Sequence, residues 1–289
     1  MKFTKMQGAG NDFVVVETGD NHSDWAKTAI AMCDRHYGIG ADGLLLLVPS
    51  AVADFRMRLF NADGSESEAC GNGLRCLVRY FTDNGRANPG IKEVAVETLA
   101  GIRKATVHKL AGGATRVRTG MGAPRFSAEE IPAVVEPACG SKVDIKYAKL
   151  MITYPLTVDG RELRLNLVSM GNSHAVYFSP GPLSDFPLVQ LGPKVELHRI
   201  FPKGVNFEVA RVLDREHIEA VVWERGVGET LACGSGACAV MVAAQLLGYV
   251  GPKVVVKLPG GALEVEWDGA GEVFLSGPAE PVFTGDWPD

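Results

Sequence analysis

One five-residue motif occurs twice in this 289-residue chain, as ACGNG at residues 69–73 and as ACGSG at residues 232–236. Two weaker matches follow the same order at nearly the same offset: a Gly-Asn pair at residues 10–11 and 171–172, and a glycine-containing turn at residues 100–102 and 260–262. The offsets are 163, 161 and 160 residues. This regularity predicts two halves of similar fold that arose by duplication. The alternative is that glycine-rich turns coincide by chance.

The stretch after each motif predicts a helix buried inside its half of the chain. Residues 234–247 are apolar almost all round, residues 71–85 are similar, and a helix without a polar face has to lie in a core. Alternation of apolar and polar residues predicts strands at residues 55–60, 93–98, 216–223, 254–258, 263–267 and 273–276. Each half is therefore predicted as antiparallel strands wrapped around one buried helix, an α+β fold.

Two further helices are expected from their capping residues. Ser23 is placed to cap a helix over residues 24–37, and Ser184 to cap one over residues 185–192. The turn-rich residues 121–124 mark the boundary between the halves.

Composition and charge exclude several classes of protein. Hydrophobic residues make up 46% and charged residues 22%, as in ordinary globular proteins. The net charge is −5 and no basic stripe is present, which argues against nucleic acid as a partner. The longest apolar runs are far shorter than the roughly 20 residues of a membrane span, and the first residues have no signal-peptide pattern. We expect a cytoplasmic protein without a membrane partner.

The six cysteines form no CxxC pair, so a metal site has little support and free thiols are expected. Cys76 and Cys238 fall inside the predicted helices and are interpreted as core residues. Cys33 and Cys139 belong to no motif and are interpreted as structural.

Cys70 and Cys233 immediately precede a Gly-X-Gly that opens a helix, and this position has chemical consequences. Unpaired N–H groups at a helix N-terminus bind anions such as carboxylates. The same field lowers the pKa of a thiol held there. If both halves direct a thiol at one α-carbon, one thiol can remove a proton from one face while the other returns a proton to the opposite face. The N–H donors would stabilise the charge that builds up on the carboxylate.

Other polar residues suit a zwitterionic substrate with more than one carboxylate. Asn61 and Glu224 each lie nine residues before a motif cysteine, where a strand is expected to end. A Glu224 carboxylate can hold an ammonium group, and the guanidinium of Arg225 can bind a carboxylate through two hydrogen bonds. Three asparagines near glycines, Asn11, Asn172 and Asn206, offer both donors and acceptors.

The chain resembles the diaminopimelate epimerases over essentially its whole length. The resemblance rests on motifs in the family's order: MQGAGNDF at residues 6–13, residues 60–75, MGNSH at 170–174, FPKGVN at 201–206, and residues 224–237. It implies an enzyme that interconverts LL- and meso-diaminopimelate without a cofactor or metal, and commonly a homodimer. It also implies two pseudo-symmetric β-rolls, here residues 1–122 with a returning strand at 279–289, and residues 123–278.

The resemblance also implies roles for individual residues. Cys70 and Cys233 exchange the roles of thiolate base and thiol acid. The reacting carboxylate is held by backbone N–H groups, and the distal end of the substrate by four side chains. Three more side chains lie near the reacting centre, with Glu224 on an ammonium group. The N–H groups are those of Gly71, Asn72, Gly234 and Ser235. The four side chains at the distal end are Asn61, Asn172, Asn206 and Arg225, and the three near the reacting centre are Asn11, His174 and Glu224.

The sequence departs from the family pattern at two positions. Some members use a glutamine where this chain has Gly43, so that contact is expected to be absent or supplied by another group. Ser173 stands where proline is common, and we expect little effect. Asp42 and Asp63 are interpreted as turn residues.

Three other functions stay open on the sequence. A proline-type racemase or a phenazine-pathway isomerase would share the fold, although the isomerases lack the cysteine pair. A non-catalytic protein that binds carboxylates or senses redox state would use Cys70 and Cys233 as a reversible disulfide.

Overall fold

The computed structural model describes residues 1–19, 24–67, 70–86, 93–109, 115–134 and 152–288. The chain splits into two compact units, Met1–Gly120 with Leu275–Asp289 (unit 1) and Met121–Phe274 (unit 2). Both units are built from many strands and few helices, which confirms the α+β class. Ser23 and Cys139 lie outside the described residues.

Unit 1 surrounds helix α2 (Gly71–Asp83) with strands, and helix α1 (Trp25–Cys33) connects the second strand to the third. Its strands pair in the order β18-β1-β2-β3-β4-β6-β7-β8, with the short β5 also on β4 and with β17 on β8. Their bounds are β1 (Lys2–Gly8), β2 (Asn11–Glu17), β3 (Gly43–Val48), β4 (Phe55–Asn61), β5 (Glu66–Ser67), β6 (Glu93–Thr98), β7 (Gly101–Lys109), β8 (Thr115–Gly120), β17 (Phe274–Pro278) and β18 (Glu280–Asp286).

Unit 2 surrounds helix α4 (Gly234–Leu246) in the same way, and helix α3 (Leu188–Glu196) follows its third strand. Its strands pair in the order β9-β10-β11-β12-β13-β15-β16, with the short β14 also on β13. Their bounds are β9 (Tyr154–Val158), β10 (Arg161–Ser169), β11 (Ser173–Phe178), β12 (Asn206–Val212), β13 (His217–Glu224), β14 (Gly228–Thr230), β15 (Lys253–Leu258) and β16 (Gly261–Glu266).

The two units share one pattern of pairings, including the direction of each pair. From β1 to β7, and again from β10 to β16, the order is antiparallel, parallel, antiparallel, antiparallel, parallel, antiparallel. The sheets are thus mainly antiparallel, with two parallel pairs in each unit that the alternation of residues did not reveal. In each parallel pair, the connection between the two strands contains a helix, because only a long crossover returns the chain in the same direction.

The central helices are buried as their sequences predict. In α4 every residue from Gly236 to Ala244 is buried, and α2 buries Leu74, Cys76, Leu77 and Val78. Strand β3 is buried along its whole length, because its two faces pack into different clusters. Leu45 and Leu47 pack with α2, whereas Leu44 and Leu46 pack with α1, which accounts for its unbroken apolar run. Among the residues that the structure describes, no helix is long and apolar enough to cross a membrane.

Helix α1 is shorter than expected, and a side chain explains why. It begins after Asp24, whose carboxylate accepts the Lys27 amide proton at 3.1 Å. It ends at Cys33, because the Asp34 side chain accepts the amide protons of His36 and Tyr37 at 2.7 and 2.8 Å. These local bonds replace helical ones, so the predicted continuation to residue 37 was wrong.

The bounds predicted for the third helix were also wrong. Ser184 lies in a 3-10 turn, Leu183–Asp185, and α3 begins only after Pro187. It continues through Gly192 to Glu196. Glycine is needed at residue 192 for packing, since a Cβ atom there would lie 2.5 Å from the Trp223 ring. Gly192, the last residue of the predicted helix, is therefore an interior residue of α3 against which Trp223 of β13 packs.

We predict that Leu77→Ala lowers the free energy of unfolding by about 2–5 kcal/mol, because it leaves a cavity beside α2 in a core where Leu77 has no exposed surface. Urea unfolding followed by circular dichroism measures the change. Ile30→Ala is the matched control, since Ile30 lies on α1 with half of its surface exposed. Equal losses in the two variants would contradict a core centred on α2.

Candidate active site

Each of the two motif cysteines caps the central helix of its unit with its sulfur atom. Cys70 precedes α2, and its Sγ accepts the amide proton of Gly73 at 3.4 Å. Cys233 precedes α4, and its Sγ accepts the amide proton of Gly236 at 3.3 Å. Serine, threonine or aspartate usually supplies an oxygen at this position. A sulfur there receives a hydrogen bond that stabilises its negative charge.

The glycine at the third helical position is required for packing in both units. A Cβ atom on Gly73 would lie 3.0 Å from a Leu45 methyl group. A Cβ atom on Gly236 would lie 2.7 Å from Oε1 of Glu208 and 3.3 Å from the Cys233 sulfur. The glycines therefore leave room for a core side chain in unit 1 and for a carboxylate in unit 2.

Around Cys70, two amide side chains, a carboxylate and a guanidinium group fix one another. Asn11 Oδ1 accepts a proton from Asn72 Nδ2 at 3.1 Å and faces the Cys70 sulfur at 3.8 Å. Asn11 Nδ2 donates to Asp42 at 2.6 Å, and Arg75 donates to Asn72 Oδ1 at 2.8 Å. Because the Asn11 NH₂ group donates to Asp42, the side-chain oxygen of Asn11 faces the Cys70 thiol.

Asp42 belongs to a charged network rather than to a turn, which corrects its sequence interpretation. Its carboxylate accepts from Asn11, from the Asp12 amide and from Arg35. Arg35 and Lys5 also bind Asp12. Burial alone would raise the pKa of Asp12, but these hydrogen bonds outweigh it and the pKa lies below its usual value. Asp63 does stabilise a turn, through bonds from the amide and hydroxyl of Ser65.

Gly43 and Asn61, two further positions of unit 1 that the sequence analysis singled out, lie outside the hydrogen-bonded group around Cys70. A Cβ atom at Gly43 would lie 2.9 Å from the Phe60 carbonyl oxygen, so a glutamine side chain has no room here unless the backbone moves. Asn61 is exposed at the end of β4, where its side chain donates to Ser65 at 2.9 Å. No described hydrogen bond joins Asn61 to the Cys70 group.

In unit 2, a chain of hydrogen bonds leads from a buried carboxylate to Cys233. Glu208 Oε1 lies 2.6 Å from His174 Nδ1, and His174 Nε2 lies 2.9 Å from Asn172 Oδ1. Asn172 Nδ2 donates to the Ser235 hydroxyl at 3.2 Å, which lies 3.5 Å from the Cys233 sulfur. Three residues predicted for the site, His174, Asn172 and Ser235, thus lie next to this thiol.

Glu224 also lies beside Cys233, and the two groups affect each other's protonation. Burial raises the pKa of Glu224, and hydrogen bonds from Thr230 and Cys233 offset part of that effect. Burial likewise raises the pKa of Cys233 well above its usual value, and the Glu224 and Glu208 carboxylates raise it further. The Gly236 amide at the helix N-terminus does lower this pKa, as expected, but burial and the two carboxylates outweigh it, so the pKa is raised overall.

Asn206 and Arg225 are linked to each other and to the Ser173 backbone. Asn206 donates to the Ser173 carbonyl oxygen at 2.9 Å and accepts the Arg225 amide proton at 3.0 Å. The exposed Arg225 side chain donates to the Lys203 carbonyl oxygen at 3.2 Å. Asn206 is the first residue of β12 and Arg225 directly follows β13, so these bonds link the segments at that end of the two strands. Over the described part of the chain, no group of three His, Cys, Asp or Glu side chains is arranged to hold a metal ion.

Glu208 is the residue of this site that the sequence analysis missed. Its signal was present: it is the single acidic residue in an otherwise mostly apolar strand, two positions after Asn206 and so on the same face. A charge in such a strand is costly to bury without a partner, which marks it as a candidate for a paired site.

Comparison with known proteins gives consistent matches along the chain. The sequence model of the family described as diaminopimelate epimerase matches residues 3–127 and 166–282. A protein of Acetivibrio thermocellus named diaminopimelate epimerase is 45% identical, over 99% of this chain and 98% of its own length. One of the same name from Pelotomaculum thermopropionicum is 44% identical, over 100% and 99%.

Solved structures with low identity show that the fold is shared more widely. A PhzF-family phenazine biosynthesis protein from Bacillus anthracis superposes with a TM-score of 0.71 at 17% identity, over 99% of this chain and 98% of its own. A hydroxyproline epimerase from Agrobacterium vitis gives a TM-score of 0.68 at 15% identity, over 99% and 91%.

We predict that alkylation of Cys233 by iodoacetamide has a pH midpoint above about 8.5, the value of an unperturbed thiol. The raised pKa keeps the proton on the sulfur, so the reactive thiolate forms only at higher pH. Mass spectrometry of the Cys233 peptide, from reactions at a series of pH values, measures the midpoint. A midpoint at or below that of a free cysteine would contradict the electrostatics described here.

Proposed function

Because the chain belongs to the diaminopimelate epimerase family, we propose that it inverts one α-carbon of diaminopimelate and interconverts the LL and meso isomers. The observation that best supports this is the duplicated sulfur cap. Each unit holds a thiol on the third amide of its central helix, with polar partners that keep it in place. A racemising reaction needs one proton acceptor and one proton donor, and the duplicated caps supply one group for each role.

In the proposed reaction, both thiols act on the same α-carbon from opposite faces. One cysteine, as thiolate, takes the α-proton, and the electron pair of the C–H bond moves toward the carboxylate. The other cysteine, as thiol, gives its proton to the opposite face. The first cysteine then carries the proton and the second is the thiolate, so the reverse reaction starts from the exchanged roles. No oxidant, reductant or cofactor enters this balance.

The raised pKa of Cys233 supports a resting state in which this residue is the proton donor. Buried next to two carboxylates, Cys233 is protonated in the ligand-free protein. Under the proposal, Cys70 then begins the reaction as the base, once its thiol, which donates to Asn11 Oδ1 at 3.8 Å in the ligand-free protein, has lost its proton.

The remaining site residues are proposed to bind the substrate. Backbone N–H groups of Gly71, Asn72, Gly234 and Ser235 would hold the reacting carboxylate, since the first amides of a helix have no acceptor within the helix and favour anions. Glu224 would hold an ammonium group, with Asn11 and His174 near the reacting centre. The distal end would be bound by Asn61, Asn172, Asn206 and Arg225. Cofactor independence, a cytoplasmic location and a homodimer stay predictions.

We predict that Cys70→Ala and Cys233→Ala each lower the rate of epimerisation by at least about 10²-fold, because each removes a proton-transfer group. The assay mixes purified reduced protein with LL-diaminopimelate, without pyridoxal phosphate, and follows the meso isomer by chiral chromatography.

Cys238→Ala is the matched control, because this helix cysteine is fully buried in α4 and should leave the rate within a few-fold. Absence of turnover in the wild-type protein with intact thiols would overturn the proposed function. Full activity of either motif variant would overturn the two-cysteine mechanism.

A further inference from the structure

Glu208 is a carboxylate that the proposed reaction leaves unused, and its burial needs an explanation. It has no exposed surface, and every other Asp or Glu side chain among the described residues is at least partly exposed. An unpaired charge in such a place is strongly destabilising. Oε1 has the His174 ring as its partner, whereas Oε2 has no hydrogen-bond partner among the described atoms. Packing alone does not account for a carboxylate here.

The His174 ring is placed to neutralise Glu208. Nδ1 faces the Glu208 carboxylate and Nε2 faces the oxygen of Asn172, whose NH₂ group is turned to Ser235. Both ring nitrogens therefore face acceptors, the arrangement in which an imidazolium donates both of its protons. An imidazolium at this position would make Glu208 and His174 a buried ion pair on the neighbouring strands β12 and β11.

The carboxylate reaches the start of α4 only because residue 236 is glycine. A Cβ atom on Gly236 would lie 2.7 Å from Oε1, and the amide of the same residue holds the Cys233 sulfur. The ion pair and the thiol thus meet at one helical position, and the hydrogen-bond chain through Asn172 and Ser235 returns to the same sulfur.

We propose that Glu208 is a positioning residue for the Cys233 site, which keeps His174 doubly hydrogen bonded and thereby fixes Asn172 and Ser235 against the thiol. The inference rests on the proposed function only for its effect on turnover. A neutral side chain at residue 208 leaves the ring with one proton for two acceptors. The bond from His174 to Asn172 is then lost in part of the molecules, and Ser235 is no longer fixed.

Electrostatics give the proposal a second consequence. Two carboxylates act on the Cys233 thiol, Glu224 on β13 and Glu208 on β12, while the His174 ring on β11 lies between Glu208 and Asn172. After burial and Glu224, the Glu208 charge is the next cause that raises the pKa of the thiol. The positive charge of the ring, which is lost with it, reaches the sulfur only through Asn172 and Ser235 and is not among the causes that shift this pKa. Removal of the Glu208 charge therefore lowers the pKa of Cys233, and the thiol reacts with alkylating reagents at lower pH.

The test compares Glu208→Gln and Glu208→Asp with the control Asp214→Asn. Asp214 also pairs with a histidine of unit 2, His217 at 2.9 Å, but on the exposed surface. Steady-state epimerisation gives kcat and KM, and mass spectrometry gives the pH midpoint of Cys233 alkylation. Three buried helix cysteines, Cys33, Cys76 and Cys238, serve as internal reporters, because they are alkylated only if the protein opens.

In Glu208→Gln we expect kcat to fall at least about tenfold, as when the outer partner of a functional histidine is removed, with KM changed much less. The Cys233 midpoint moves to lower pH while the three reporter cysteines stay protected. Glu208→Asp keeps the charge and recovers part of the turnover, and Asp214→Asn behaves as wild type. A loss of activity with a more reactive Cys233 is a combination that a merely structural residue would not produce.

Wild-type turnover and an unchanged Cys233 midpoint in Glu208→Gln would overturn the proposal while leaving the proposed function intact. If the wild-type protein shows no turnover, the function fails, and the alkylation midpoint still decides the role of Glu208. If both variants expose the reporter cysteines, ¹⁵N NMR of the His174 ring in wild-type protein decides. Protons on both nitrogens support the ion pair, and an unprotonated Nδ1 overturns it.

Discussion

A cysteine sulfur that accepts the amide proton of the third helical residue is the interaction on which both units depend. Glycine occupies that position in both units, where a Cβ atom would lie 3.0 Å from a Leu45 methyl group in unit 1 and 2.7 Å from Oε1 of Glu208 in unit 2. The interaction also places a reactive atom at the end of a helix whose other residues are buried among strands.

The same cap has unlike surroundings in the two units, and the difference has a chemical meaning. Cys70 faces neutral amides that a distant carboxylate, Asp42, holds in orientation. Cys233 lies against two carboxylates, one of which is paired with a histidine. A duplicated framework therefore carries two thiols in unlike electrostatic surroundings, which suits a reaction that needs a donor and an acceptor at the same time.

The sequence predicts the central helices well because several signals agree there. The Gly-X-Gly after each motif cysteine and the long apolar run that follows it both indicate the start at Gly71 and at Gly234. Signals that stand alone mislead: Gly192 packs against Trp223 inside α3 instead of ending it, and Asp34 ends α1 through its side chain. The parallel pairings depend on which strands a crossover brings together, which alternation along one strand does not encode.

Within the site, residues inside motifs were predictable, whereas their partners were not. His174 and Asn172 stand in a short motif, but Glu208 reaches them from another strand, and only the pairing of β11 with β12 reveals the contact. The pKa of Cys233 shows the same limit. The helix N-terminus is visible in the sequence, whereas the two carboxylates that outweigh it are brought there by the fold.

The most direct measurement of the central claim is the position of isotope after reaction of LL-diaminopimelate in D₂O, stopped at low conversion. The two isomers are separated and analysed by mass spectrometry. With one thiol on each face, the product receives its proton from a group that has exchanged with solvent, while the abstracted proton stays on the other thiol. The account predicts deuterium in the meso product and none in the remaining LL substrate. Deuterium that enters the remaining substrate as fast as the product would contradict it, because a single group would then be removing and returning the proton.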